Sequence, residues 1–179
     1  MNFVSLGKYQ MENEIINKVQ QSGLTEFNLE DFYPKGERAA FDLKNFLFQG
    51  LILKEKDFRE ALKTFDWGKY QDKYIAVLCS ADAIVPSWAF MLAAVHLEPY
   101  AKRVVFGNPE TLETVLYNDA LSKLDIEKFR GEKIIIKGCS KYPVPESAYV
   151  EITRLLRPLA KSIMYGEACS TVPLYKAKD

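Results

Sequence analysis

The chain has 179 residues, of which 48% are apolar, and its 24 basic residues balance 24 acidic ones. This composition is typical of a globular chain with a sizeable core and excludes a disordered one. A net charge of zero disfavours a general nucleic-acid binder. No apolar run approaches the roughly 18 residues that a membrane span needs. We therefore expect neither nucleic acid nor a membrane among the partners.

The start of the chain does not resemble a signal peptide, because residues 1–10 contain one lysine and no long apolar core. We interpret residues 1–10 as a flexible extension and expect a cytoplasmic protein. Ile15, Ile16 and Val19 recur at helical spacing and predict a helix over residues 12–21.

Residues 11–71 follow a mixed pattern and are predicted to form an α+β segment that packs on the main domain. A short strand is predicted at 27–29 and a turn at 33–36. Ala39, Phe41 and Leu43 alternate with polar residues, as in a half-buried strand. An amphipathic helix is predicted over 54–65.

From Lys73 onward, strands and helices alternate regularly. Continuous apolar runs, typical of strands buried on both faces, predict strands at 74–79, 103–106, 133–137 and 162–165. Helices are predicted at 86–97, 109–123 and 145–161. This alternation implies parallel pairing through right-handed crossovers. Residues 72–179 are therefore predicted to form an α/β domain with a sheet of about four strands in the order 2-1-3-4. We detect no repeat of roughly 20 to 50 residues.

Each of the three cysteines follows a predicted strand: Cys79 the first, Cys139 the third and Cys169 the fourth. In a parallel sheet the C-terminal strand ends share one edge, where open α/β sheets bind ligands. If the third strand lies between the first and the fourth, the three thiols come within reach of one ion or cluster, since neighbouring strands are about 5 Å apart. Helix N-termini at that edge favour the thiolate form. The pattern predicts a shared site for an iron–sulfur cluster or zinc.

Three thiolates leave a fourth coordination position open. Asp82 and Glu167 are candidates for it, and Glu146 is a further one, because all three lie near the same predicted edge. The serines that follow the cysteines are assigned to cofactor contact: Ser80, Ser140 and Ser170. His96 is a poorer candidate ligand, since the C-terminal end of its helix lies at the opposite edge.

Two other interpretations stay open. Cysteine is often buried as a small apolar residue, so a protein-interaction module with structural cysteines fits the same pattern. A small-molecule enzyme with a cysteine nucleophile at this edge is the other alternative, although it lacks a histidine base there. No Gly-x-Gly-x-x-Gly or Walker motif occurs, so no nucleotide is expected.

Three long segments carry a resemblance to a known family: FQGLILKEKDFRE (48–60), YIAVLCSADAIVPSWAFML (74–92) and PVPESAYVEITRLLRPLAKSIMYGEACSTVPLY (143–175). With them, residues 11–176 resemble a Bacteroidetes family known as domain of unknown function 2480. The resemblance supplies no catalytic residues. It implies a role beside iron–sulfur cluster assembly, with assembly proteins as partners.

Overall fold

The computed structural model describes residues 23–138, 141–167 and 169–178. Its strands are β1 (Leu24–Asn28), β2 (Arg38–Asp42), β3 (Tyr74–Leu78), β4 (Arg103–Phe106), β5 (Lys133–Lys137), β6 (Ser162–Glu167) and β7 (Ser170–Lys176). Its α-helices are α1 (Glu55–Lys63), α2 (Ser87–Leu97), α3 (Pro109–Leu121) and α4 (Glu146–Leu156). The predicted extension at 1–10 and the predicted helix at 12–21 lie outside the described residues. No helix in the described part is long and apolar enough to cross a membrane.

The predicted α/β class is confirmed, and most predicted elements lie where the sequence places them. Asn108 caps α3 by accepting the N–H of Thr111 at 2.8 Å, and Pro109 takes the first helical position. The predicted helix at 145–161 is too long. It ends at Leu156, because Pro158 has no N–H with which to continue it.

The strands form two sheets, so the predicted single sheet with the order 2-1-3-4 is wrong. Sheet A has the order β1-β5-β6-β7, and sheet B has the order β2-β3-β4. β1 pairs in parallel with β5, and β2 pairs in parallel with β3. β2 therefore occupies the edge of β3 that the prediction gave to β5. The division of the chain into 11–71 and 72–179 stays a prediction, but the first segment supplies one strand to each sheet.

The two sheets belong to two similar structural units, whose spacing of 59 residues lies outside the range of about 20 to 50 residues that the sequence analysis considered. β3, α2 and β4 begin at Tyr74, Ser87 and Arg103. β5, α4 and β6 begin at Lys133, Glu146 and Ser162, each 59 residues later. Identical residues at this spacing include Ile75 and Ile134, Val85 and Val144, Pro86 and Pro145, Lys102 and Lys161, and Gly107 and Gly166. The shared positions are turn, cap and core positions that the common backbone path requires.

The first strands of the two units are related by a shorter spacing. β1 begins at Leu24 and β2 at Arg38, 14 residues later. Each strand leads directly into a 3₁₀ helix, Leu29–Phe32 or Leu43–Phe46. We call β2, α1, β3, α2 and β4 the first unit, and β1, α3, β5, α4, β6 and β7 the second unit. The units are interleaved, since β1 precedes the whole first unit.

Helix α3 joins the two units through its apolar side chains. Tyr117 and Leu121 pack in the core of the second unit, at the positions that Phe58 and Leu62 of α1 hold in the first. The N-terminal half of α3 also packs against the face of sheet B that α1 and α2 leave free, through Leu112 and Leu116. Helix α3 therefore contributes both to the core of the second unit and to the packing on one face of sheet B.

An ion pair also ties α3 to the first unit. Arg38 of β2 donates to both carboxylate oxygens of Glu113 at 2.7 and 3.0 Å, and its guanidinium lies 4.5 Å from the Tyr33 ring and 5.2 Å from the Tyr74 ring. The hydrogen bond with Glu113 raises the pKa of Arg38. The contact is therefore a charged, bidentate one that connects sheet B to the helix of the other unit.

Candidate functional site

The loop that follows β3 begins at Cys79, one of the predicted metal ligands. β3 is buried along its length because its apolar side chains are covered on both faces, and the chain reaches the surface only after Leu78. The Cys79 side chain is half-buried against the core of the first unit, and its thiol lies 3.8 Å from the carbonyl oxygen of Ala81. Asp82, the predicted fourth ligand, is exposed in the same loop.

Asp42, at the end of β2, fixes this loop. Its carboxylate accepts the N–H of Ser80 at 3.0 Å and the Ser80 hydroxyl at 2.6 Å, and it also accepts the N–H of Lys44 at 3.0 Å. Burial raises the pKa of Asp42, but the hydrogen bonds from Ser80 and Lys44 outweigh it and hold that pKa below its usual value. The assignment of Ser80 to a cofactor stays a prediction.

The loop that follows β5 in the second unit is held in a related way. Glu30 accepts the N–H of Tyr142 at 2.9 Å through its carboxylate. Glu30 belongs to the 3₁₀ helix after β1, just as Lys44 belongs to the one after β2. Cys139 and Ser140, for which the sequence predicts metal and cofactor contacts, lie outside the described residues.

The remaining predicted site residues lie where β6 turns back into β7. Cys169 is exposed in this turn, and Ser170 begins β7. Glu167 ends β6 and lies 3.9 Å from the Lys137 ammonium group, which also pairs with Glu26 at 2.7 Å. This turn belongs to sheet A, whereas Cys79 and Asp82 follow a strand of sheet B. The sequence predicts that β3 and β5 are neighbouring strands, but they lie in different sheets.

The structure shows no metal centre within 23–138, 141–167 and 169–178, where no group of three or more His, Cys, Asp and Glu side chains could hold an ion. His96 stacks on Trp67, with ring centroids 5.0 Å apart and an interplanar angle of 8°. Its packing role agrees with the expectation that it is a poor ligand.

A cleft of about 420 Å³ opens at the C-terminal edge of sheet B, with Cys79 in its wall. Val85 from the loop, Phe90 from α2 and Phe106 from the end of β4 also line it. The Phe90 and Phe106 rings meet edge to face with their centroids 5.0 Å apart. The arrangement is an apolar depression with one thiol and without a charged side chain among its lining residues.

The second unit has a cleft at the same place. Tyr149 and Tyr165, the counterparts of Phe90 and Phe106, meet edge to face at 5.8 Å. This cleft is smaller, about 270 Å³, and β7 contributes Leu174 to its wall. Glu146, the further ligand candidate, also lines it.

Four exposed apolar side chains on α2 and near the cleft of the first unit form what we call the α2 surface. They are Ile84, 94% exposed, and Met91, Val95 and Phe106, each 68% exposed. Met91 and Val95 are one turn apart on α2, Phe90 joins Met91 to Phe106, and Ile84 lies between two cleft-lining residues, Ala83 and Val85.

The α2 surface is absent from the sequence predictions, although the sequence contains a signal for it. The α2 segment SWAFMLAAVHL has apolar residues on every side of the helix. Such a helix is expected to be buried all round, yet its fully buried side chains are Ala89, Ala93 and Leu97 on one face. The missing polar face is the observation that points to an uncovered interaction surface.

The sequence model of one protein family, described as protein of unknown function (DUF2480), matches residues 13–177. The match spans both structural units. No curated protein and no solved structure matches the chain. The restriction to Bacteroidetes stays a prediction.

Proposed function

The chain belongs to the DUF2480 family, and we propose that it is a protein-binding component that recognises its partner through the α2 surface. One observation carries this proposal: the fold contains the same helix twice, and the outward position of Val95 holds a charged residue in the second copy. Val95 of α2 is 68% exposed, and its counterpart in α4 is Arg154, paired with Glu151 at 2.6 Å. Because α4 has a charged residue at this position, the fold does not require an apolar residue at Val95. Exposed apolar patches of this kind mark interaction sites.

The surroundings of Cys79 favour this proposal over an enzyme with a cysteine nucleophile. Its side chain packs on the core of the first unit, and the single histidine of the chain is stacked on Trp67. A cysteine nucleophile needs a base within hydrogen-bond reach. Met91 and Phe106 belong to residue types that are enriched at protein interfaces.

We propose further that the protein acts in the cytoplasm, beside iron–sulfur cluster assembly. Cys79 and Cys169 are free thiols, which are typical of a reducing compartment. The family resemblance makes assembly proteins the first partners to test.

The test exchanges the outward face of α2 for a charged one. Met91→Glu with Val95→Arg places an ion pair four residues apart on exposed positions, so we expect the free energy of unfolding to change by less than about 0.5 kcal/mol. Val150→Glu on α4 is the matched control, since Val150 is the counterpart of Met91 and is 69% exposed.

The measurement is chemical cross-linking in the source cell followed by mass spectrometry. We expect a partner that is recovered with the wild-type chain and with V150E and that is lost with M91E/V95R. Recovery of the same proteins with all three chains would show that the α2 surface does not bind the partner.

Metal binding is a second proposal, and the parallel pairing of β5 with β6 favours it. In sequence, Cys139 and Cys169 each follow one of these two strands by two residues, and Glu167 ends β6. The C-terminal ends of paired parallel strands share one edge, which supports these residues as ligands of zinc or an iron–sulfur cluster, completed by a ligand from a partner.

The second proposal is tested by purification without oxygen, followed by measurement of iron, zinc and sulfide in the wild-type chain and in C139S/C169S. Stoichiometric metal that the double variant loses would support it. Metal-free protein that takes up nothing on reconstitution would argue against it.

A further inference from the structure

The two units differ at the outer edge of their last parallel strand. In the second unit, β7 pairs antiparallel with the outer edge of β6. In the first unit, β4 pairs with β3 on one side, and no other described strand pairs with its outer edge. From this difference we propose that the outer edge of β4 binds an extended segment of the partner as an added antiparallel strand. This inference rests on the proposed function and names the form of the partner.

The added strand of the second unit shows how such a segment fits. Tyr165 of β6 lies opposite Val172 of β7, and Leu174 of β7 reaches the wall of the adjoining cleft. In the first unit, Phe106 replaces Tyr165 and is 68% exposed, whereas Tyr165 is 43% exposed. The larger cleft of the first unit and the greater exposure of the Phe106 ring are what the absence of a covering strand at this edge would produce.

β4 contains neither of the two residue types that protect the outer edge of β7. β7 contains Pro173 and ends in Lys176, and proline and lysine on edge strands hinder pairing with another chain. β4, by contrast, is Arg-Val-Val-Phe and contains neither. Arg103 is its one charged residue, and it pairs with Asp119 at 3.0 Å.

The backbone of β4 presents hydrogen-bonding groups to the outside. Gly107, directly after β4, donates its N–H to the carbonyl oxygen of Val77 in β3 at 3.0 Å. N–H groups alternate in direction along a strand, so we expect those of Val104 and Phe106 to point away from β3. Main-chain hydrogen bonds to such groups provide affinity in strand addition, and pockets for alternate side chains provide specificity.

The occupant is therefore an extended segment with an apolar side chain at the position that Leu174 holds in the second unit. That side chain would enter the cleft lined by Cys79, Phe90 and Phe106. The added strand would lie beside the α2 surface, because Phe106 belongs both to β4 and to that surface.

The experiment places the photoreactive residue p-benzoylphenylalanine at position 106 of the full chain, in the source cell. We expect cross-links to a single segment of one partner protein. Val104→Pro in this background removes an outward N–H and is expected to lower the cross-linking yield at least about tenfold. Val104→Ala is the matched control, since it loses the same packing but keeps the N–H.

A second measurement covers the case in which V104P does not fold. In the wild-type complex, the amide hydrogens of Val104 and Phe106 should exchange more slowly than in the free chain. Equal yields with V104P and V104A, or unchanged amide exchange, would overturn strand addition. If M91E/V95R still abolished partner recovery in that case, the proposed function would stand without the added strand.

Discussion

The two units of the molecule have the same backbone path up to one equivalent glycine, and they differ after it. Gly107 and Gly166 both have positive φ values, 136° and 117°. After Gly107 the chain enters α3, and an added Cβ would lie 2.7 Å from the Thr111 side chain. After Gly166 the chain turns into β7, and an added Cβ would lie 2.5 Å from the Ser170 carbonyl oxygen. The comparison teaches that one unit covers its outer edge with β7, while no strand of the described residues covers the outer edge of β4 in the other.

The largest effect on the free energy of unfolding is expected from two core substitutions, which test whether the two units unfold together. Ile75 and Ile134 are counterparts, and both are fully buried. We expect Ile75→Ala and Ile134→Ala each to lower the free energy of unfolding by about 2–5 kcal/mol. Because α3 packs both in the core of the second unit and on one face of sheet B, either change should shift one common transition in urea.

Fluorescence separates the two units in this experiment, since both tryptophans, Trp67 and Trp88, belong to the first unit. I134A, in the second unit, should shift the fluorescence midpoint as far as the circular dichroism midpoint. A fluorescence midpoint that stays at its wild-type value in I134A would mean that the units unfold independently.

A smaller effect is expected from cutting the charged link between the units. Glu113→Ala leaves Arg38, whose side chain is 20% exposed, without its carboxylate partner. We expect a loss of about 1–3 kcal/mol in the free energy of unfolding, measured in urea at pH 7. Glu110→Ala is the control on the same helix, because Glu110 is exposed. Equal stability of both variants would show that the ion pair does not hold the units together.

The smallest effect is expected from a substitution that replaces one residue of the first unit with its counterpart in the second. Asp42→Asn introduces the residue that Asn28 provides at the end of β1, and we expect it to cost about 1 kcal/mol at pH 7. The pKa of Asp42 is lowered in the folded state, so its contribution is present above the unfolded pKa of about 3.9 and is lost as the pH falls through the folded value.

The free energies of unfolding of the wild-type chain and D42N should therefore converge below about pH 4. The measurement is urea unfolding at a series of pH values. A difference that stays constant from neutral pH down to that range would show that the carboxylate charge of Asp42 does not stabilise the loop after β3.

Local signals in the sequence predict the elements well. The Asn108 cap, Pro109 and the apolar runs of β3 and β5 act over a few residues, so they can be interpreted without knowledge of the fold. Strand order depends instead on pairings over long distances, such as Leu24 with Lys133. The prediction omits β7, whose segment contains Pro173, a residue that argues against a central strand.

The repeat is visible in the sequence, but the cysteines do not follow it. Val85-Pro86 and Val144-Pro145 recur at the 59-residue spacing of the two units, and both pairs directly precede a helix. At this spacing the counterpart of Cys139 is Ser80, not Cys79. The cysteines are thus not a repeated feature of the two units, and the shared thiol site depended on a strand order that the fold does not have.

The interleaved order of the strands has a consequence for biosynthesis. The partner of Leu24 is Lys133, 109 positions later in the chain, so a ribosome adding about 5–20 residues per second completes β5 roughly 5–20 s after β1. During that interval the ribosome synthesises all strands of the first unit. Until β5 is made, β1 lacks its pairing partner. An unpaired strand of this kind is exposed to chaperones and to aggregation while the protein is being made.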